Sequence, residues 1–144
     1  MRLQFRTLPF AATIAALIAS CPVLAQTKEE RYLLQERCGK QAAATFKTDW
    51  GGNVVNANGS QIRANYQNHY NERLNKCFYL ESSTTYKSGA EPFKTLRLFD
   101  INENKEYATF GGTATRGDLI CSVGDEHCSS EQEFMQLLAP YMKD

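Results

Sequence analysis

Beyond residue 26, apolar side chains first recur with the period of a helix. Four of them are spaced four residues apart: Leu34, Cys38, Ala42 and Phe46. This spacing puts all four on one helix face, and Thr27 with Glu30 has the capping-box spacing of a helix start. We therefore predict a helix over about residues 28–47, ended by Trp50 and the two glycines after it, with Cys38 in the middle of its apolar face.

The pattern then changes from helical to alternating. Residues 51–60 are rich in asparagine and glycine, which predicts a surface loop. Apolar and polar residues alternate over 62–70, as in a strand with one buried face. A helix is the alternative there, since some apolar positions also have near-helical spacing, but the asparagines of this region disfavour it. Strand-forming residues predict three further strands over 76–86, 94–99 and 105–110.

The last apolar stripe is again helical. Ser130 and Glu133 have the spacing of a second capping box, and apolar residues follow on one face up to about residue 142. Pro140 weakens the final turn of this predicted helix over 130–142. The chain is thus predicted to be an α+β domain, with an N-terminal helix, an antiparallel meander of about four strands and a C-terminal helix.

The first 25 residues have the pattern of a secretory signal. A basic start carrying Arg2 and Arg6 precedes an apolar stretch of about a dozen residues and a small-residue cleavage pattern that ends at Ala25. This stretch is shorter than the roughly 20 residues of a membrane-spanning helix. We predict a signal peptide over 1–25, a single α+β domain over 26–144, a mature chain with no transmembrane segment, and a periplasmic or secreted location.

A lipoprotein signal is the alternative. Ile18-Ala19-Ser20-Cys21 resembles a lipobox, in which Cys21 would be acylated and would anchor the chain to a membrane. Pro22 directly after this cysteine and the conventional site at Ala25 favour ordinary cleavage.

The charge of the chain excludes one class of partner. Cleavage after Ala25 leaves fourteen basic and sixteen acidic residues, so the mature chain is close to neutral. No basic run or arginine-rich tail provides the electrostatic footprint of nucleic-acid binding. We therefore expect no nucleic-acid partner.

Four cysteines remain after cleavage, and an even number in a small exported chain predicts two disulfides. Three pairings are open. We favour Cys38–Cys77, which closes a loop of about forty residues, and Cys121–Cys128, which closes one of about eight. A bridge from Cys38, in the middle of the apolar stripe, would then tie the first helix to the sheet.

The residues with reactive side chains form no recognisable catalytic or metal-binding motif. Residues 100–111 resemble a calcium loop but lack its glycine and final glutamate. Cys121, His127 and Cys128 lie close together, yet their spacing is unusual for zinc and a disulfide is the simpler interpretation. No serine elbow or CxxC is present. We predict no catalytic residue, no metal ligand and no cofactor.

A binding surface is predicted on one face of the strand over 62–70. Its polar positions are Arg63, Asn65, Gln67 and His69, and the chain is rich in tyrosine and asparagine, which serve well in recognition. An ordinary hydrated sheet face is the competing interpretation. The register of the hairpin around 71–75 decides the place of His69. If His69 pairs opposite Cys77, it lies under the first helix. If the register is shifted by one residue, Tyr70 takes that place and His69 turns out to solvent.

Several short stretches resemble an uncharacterised family of small exported proteins of Gram-negative bacteria. They are His69-Tyr70-Asn71, Leu74-Asn75-Lys76-Cys77-Phe78, Leu98-Phe99-Asp100 and Glu106-Tyr107. The resemblance covers about half of the mature chain and implies export and two disulfides, without an activity.

The sequence thus favours an exported, non-catalytic binding or accessory protein of the bacterial cell envelope, whose partner is an unknown protein or envelope component. A small exported hydrolase and a lipoprotein anchored through Cys21 are the alternatives.

Overall fold

The structure, a computed structural model, describes residues 26–115 and 120–144. The predicted signal peptide and Cys21 lie outside these residues. Helix α1 spans Lys28–Trp50, three residues beyond the predicted end. Its capping box is formed, because the Glu30 amide donates to Thr27 Oγ1 and the Thr27 amide donates to Glu30 Oε2. Gly51 ends the helix in the left-handed conformation, with φ of 64°, which glycine adopts without steric cost.

The sheet is an antiparallel meander of seven strands in chain order within the described residues. The strands are β1 Val54–Ala57, β2 Ser60–Asn71, β3 Lys76–Lys87, β4 Phe93–Asp100, β5 Lys105–Gly112, β6 Ile120–Val123 and β7 Glu126–His127. The α+β class and the four central strands are confirmed. The count of about four strands is wrong, because short strands extend the sheet at both ends.

Strand β1 lies within the segment that was predicted to be a loop. It pairs with β2 through a two-residue turn in which Asn58 and Gly59 have φ of 51° and 73°. An Asn-Gly pair favours this tight turn, since both residues tolerate positive φ. The Asn58-Gly59 pair is thus a hairpin signal in the sequence, although the asparagines around it led to the prediction of a loop.

Strands β6 and β7 were also missed. They form a short hairpin between Cys121 and Cys128, with Gly124 at φ of 57° in the turn. With lengths of four and two residues, they are too short to show an alternating pattern.

The C-terminal helix is divided, which corrects the prediction of one helix over 130–142. Helix α2 spans Glu131–Leu137 and helix α3 spans Ala139–Met142, with Pro140 in the first turn of α3. Proline has no amide hydrogen and clashes inside a helix, so it fits best at a helix start. The Ser130 hydroxyl caps α2 by accepting from the Glu133 amide, whereas the Glu133 carboxylate reaches Ser129 instead of Ser130.

The two faces of the sheet are covered by different helices. On one face, α1 packs on β2 and β3 through Ala42, Phe46, Ala64 and Tyr79. On the other face, Phe134 and Leu138 pack on apolar residues of β3 to β6. We call these the α1 face and the α2 face.

Two disulfides join these layers, in the favoured pairing. Cys38–Cys77 links α1 to β3, and Cys121–Cys128 closes the β6–β7 hairpin in front of α2. Bridges of this kind persist in oxidising compartments. In the part of the chain that the structure describes, no helix is both long enough and apolar enough to cross a membrane.

Candidate functional site

The β2–β3 hairpin settles the register that the sequence left open. Tyr70 pairs with Cys77 and His69 pairs with Phe78. Tyr70 therefore lies on the α1 face beside the Cys38–Cys77 disulfide, and His69 points to the α2 face. Its neighbour there is the chain's last described residue, as His69 Nε2 lies 3.3 Å from Asp144 Oδ1.

Asn71, at the end of β2, is a structural residue. It is fully buried, and its amide nitrogen donates to the backbone oxygen atoms of Pro140, Tyr141 and Lys143 at 3.0–3.2 Å. Its side-chain oxygen accepts from the Leu74 amide at 2.9 Å. One side chain thus stabilises the hairpin turn and fastens the C-terminal segment to it.

The four residues of the predicted binding surface share the α2 face, but they do not form one patch. Arg63, Asn65 and Gln67 are exposed, because α2 and α3 leave this part of β2 uncovered. His69 is only partly exposed and contacts the C-terminal segment. Arg63 lies over the half-exposed ring of Tyr86, 5.4 Å from the ring centroid. The structure thus leaves three polar residues and one tyrosine accessible on this face.

A groove follows helix α2 beside these residues. It consists of two cavities of about 720 and 220 Å³ that share Lys94 and Glu131, whose side chains form an ion pair. We call it the α2 groove. Its wall is more apolar than polar, and most of its polar groups are hydroxyl and amide side chains: Gln67, Ser82, Thr84, Thr115, Ser129 and Ser130. Lysine and glutamate are its only charged residues among those described, so this part of its wall has no net charge.

A second site lies on the α1 face, where α1 stops covering the sheet. This cavity has a volume of about 200 Å³ and lies between α1 and strands β3 and β4. It is lined by Thr45 and Asp49 of α1, Tyr79 and Glu81 of β3, Arg97 and Phe99 of β4, and Ile101 and Asn104 of the turn after β4. We call it the Tyr79 cavity.

The polar groups of the Tyr79 cavity are unusual. The Tyr79 hydroxyl is buried and has no hydrogen-bond partner in residues 26–115 and 120–144. Burial, followed by the charges of Glu81 and Asp49, raises the pKa of this hydroxyl above its ordinary value, so it stays protonated at neutral pH. Glu81 is 8% exposed and accepts a hydrogen bond of 2.9 Å from Trp50 Nε1.

Arg97 is the one cation among the described residues of this lining, and another residue already neutralises it. Its Nε and Nη2 atoms donate to Glu106 Oε2 at 3.0 and 2.7 Å. The guanidinium also lies over the ring of Phe99, 4.5 Å from its centroid. Glu81 is the cross-strand neighbour of Arg97, yet no ion pair joins them.

Sequence reasoning missed the Tyr79 cavity, although one signal pointed to it. Tyr79 and Glu81 alternate with Phe78 and Leu80 in the predicted strand over 76–86, so Glu81 interrupts an otherwise apolar run. A glutamate at a covered strand position is costly unless it has a partner or a purpose. The glutamate within this apolar strand is therefore the sequence signal for the site.

The other residues considered for metal binding have structural partners. Asp100 is 1% exposed and accepts from Lys76 Nζ at 2.7 Å. This hydrogen bond, and the one to Glu103, raise the pKa of Lys76. Cys121 and Cys128 are bonded to each other, and His127 is exposed on β7. No group of three or more metal-ligating side chains occurs among the residues described.

Comparisons with protein-family models, curated proteins and solved structures found no match to this chain.

Proposed function

We propose that this chain is an exported, non-catalytic binding protein of the bacterial cell envelope, and that its α2 groove binds an uncharged, hydroxyl-rich segment, the sugar backbone of an envelope glycan. The observation that carries this proposal is the groove itself, whose mainly apolar wall carries hydroxyl and amide side chains and, among the described residues, no net charge. A charged ligand would lose its hydration there without gaining an opposite charge. A glycan, in contrast, offers hydroxyl groups to hydroxyl and amide side chains.

The surface beside the groove supports this assignment. Asn65 and Gln67 add amide groups along β2, and the Tyr86 ring is 40% exposed at the same face. Tyrosine provides a rigid contact area with a polar end at low entropic cost. Export is part of the proposal and is supported by the two disulfides, which oxidising compartments preserve.

Co-sedimentation with purified peptidoglycan sacculi tests the proposal. We expect the mature protein to sediment with the sacculi, and the double substitution of Gln67 and Thr84 by alanine to lower this affinity about tenfold by removing hydrogen-bonding groups. Gln35→Ala is the matched control, because Gln35 is an exposed glutamine on α1, away from the groove. Equal losses in the control and the double variant, or no sedimentation of the wild type, would contradict the assignment.

The same sacculi distinguish binding from hydrolysis. We expect no release of soluble fragments during incubation. Release by the wild-type protein that His69→Ala abolishes would replace the binding proposal by the hydrolase alternative.

The mass of the exported chain decides how it is processed. We expect a chain that begins at Gln26. A chain that begins at a diacylglyceryl-modified Cys21 would instead establish the lipoprotein alternative.

A further inference from the structure

The Tyr79 hydroxyl is an exception that calls for a physical explanation. Tyr79 is 1% exposed, and its hydroxyl is the only buried side-chain nitrogen or oxygen atom in the described part of the chain that lacks a hydrogen bond. Folded proteins pair nearly all such groups, because burying one without a partner costs free energy. Tyr79 lines the cavity, and an occupant reaches its buried hydroxyl when the neighbouring side chains move.

Two carboxylates beside this hydroxyl also lack a cation. Asp49 and Glu81 line the same cavity, and both lie close enough to the Tyr79 hydroxyl to raise its pKa. Neither belongs to an ion pair within residues 26–115 and 120–144. Glu81 uses Oε2 to accept from Trp50, and its other oxygen receives no hydrogen bond from the described residues.

The charges around the cavity favour a cationic occupant. Its lining contains two carboxylates and one guanidinium, and Glu106 binds that guanidinium through two hydrogen bonds. The Arg97–Glu106 pair is neutral as a unit, so Asp49 and Glu81 set the sign of the potential inside the cavity. Asn104 and Thr45 add neutral polar groups.

The number of acceptors specifies the cation further. A primary ammonium group has three N–H donors and no acceptor, and the acceptors of the cavity include the two carboxylates and the Tyr79 hydroxyl. We propose that the Tyr79 cavity binds a primary ammonium group, which donates to the carboxylates of Asp49 and Glu81 and to the Tyr79 hydroxyl. Phe99 and Ile101 provide an apolar wall for a short alkyl stem.

The size of the cavity limits the ligand. A volume of about 200 Å³ is below the roughly 300–1,000 Å³ of sites that enclose drug-sized ligands. The cavity therefore holds a small alkylamine, or the amine end of a longer molecule. This site is on the opposite face of the sheet from the α2 groove, so its assignment does not depend on the glycan proposal.

Trp50 gives a direct readout of binding. It is the only tryptophan of the chain, and its indole N–H donates to Glu81. We expect n-butylammonium, titrated at pH 7, to change the Trp50 emission and to shift the backbone NMR signals of Asp49, Tyr79 and Glu81. Two probes serve as controls: 1-butanol, which has no charge, and tetramethylammonium, which has the charge but no N–H donor. Neither should produce these changes.

Three substitutions test the individual contacts. We expect Asp49→Asn, Glu81→Gln and Tyr79→Phe each to weaken n-butylammonium binding, by about tenfold for the carboxylates because charge-assisted hydrogen bonds are the stronger ones. Asp49 is exposed on α1, so its variant should fold normally even if Glu81→Gln does not. Glu36→Gln, on the same helix but paired with Lys40, should bind like the wild type.

The proposal is overturned by any of three results. The first is no response to n-butylammonium, the second is an equal response to tetramethylammonium, and the third is unchanged affinity in both the Asp49 and the Tyr79 variants.

Discussion

The two ends of the interface between α1 and the sheet are built on the same plan but completed differently. At the hairpin end, Tyr70 is 5% exposed, and its hydroxyl donates to Asn75 Oδ1 at 2.6 Å. At the other end, Tyr79 is 1% exposed, and its hydroxyl has no partner among the described residues. Both tyrosines come from adjacent strands and face the same helix.

The hairpin end therefore contributes to the stability of the fold, whereas the Tyr79 end offers polar groups for binding a ligand. The hairpin end also contains the Cys38–Cys77 disulfide, and on the opposite face of the same hairpin the buried side chain of Asn71 binds the C-terminal segment. Covalent and polar contacts there therefore hold the fold together. The Tyr79 end contains a cavity and two carboxylates that have no cationic partner among the described residues. Substitutions at the hairpin end should therefore cost stability, whereas polar substitutions at the Tyr79 end should affect ligand binding.

The largest effect is expected from the disulfide at the hairpin end. Replacing Cys38 and Cys77 together by alanine should lower the free energy of unfolding by about 4 kcal/mol, because the bridge closes a loop of about forty residues. Replacing Cys121 and Cys128, which are seven residues apart, should cost about 2.5 kcal/mol. Urea unfolding of both variants measures these two losses. A larger loss of stability from replacing Cys121 and Cys128 would contradict this prediction.

Asn71→Ala should have the next largest effect. The substitution leaves three backbone oxygen atoms of the C-terminal segment and the Leu74 amide without this partner, which should cost about 2–3 kcal/mol. Asn65→Ala is the matched control, since Asn65 is exposed on the same strand and should change stability by less than about 0.5 kcal/mol. Equal urea midpoints for the two variants would show that Asn71 does not fasten the C-terminal segment.

Alkaline pH should act through the Tyr79 end. Burial raises the pKa of Tyr79 in the folded chain, whereas an unfolded tyrosine ionises near pH 10. Below that pH both states keep the proton. Above it the unfolded state binds fewer protons than the native state, so stability falls as pH rises.

The Tyr79→Phe variant isolates this contribution. Relative to the wild type, its stability should be about constant up to pH 9 and should rise above pH 10, as measured by urea unfolding at each pH. A constant difference across this range would contradict the raised pKa.

The sequence predicted the parts of the fold that have long, regular patterns. The fourfold spacing from Leu34 to Phe46 and the alternation in β2 each persist over many residues, so they stand out. Strands β1, β6 and β7 are four residues or fewer, and their turns carry the information instead, as with Asn58 and Gly59. Pro140 did mark the weak point at which the last helix divides.

The candidate sites were less accessible to sequence reasoning. The alternation in β2 correctly grouped Arg63, Asn65 and Gln67 on one face, but it could not show that the C-terminal segment covers His69. The Tyr79 cavity depends on where α1 ends relative to β4, and on which carboxylate Arg97 binds. These are features of the tertiary structure, and the only sign of them in the sequence was Glu81 in an apolar strand.

The central claim is that the Tyr79 hydroxyl, which has no partner among the described residues, does not stabilise the fold. It is tested most directly by comparing Tyr70→Phe with Tyr79→Phe in urea unfolding at pH 7 without ligand. Tyr70→Phe should cost about 1 kcal/mol by removing a made hydrogen bond, whereas Tyr79→Phe should leave stability unchanged or raise it, because it removes an unpaired buried group. A loss in Tyr79→Phe equal to that in Tyr70→Phe would contradict the claim.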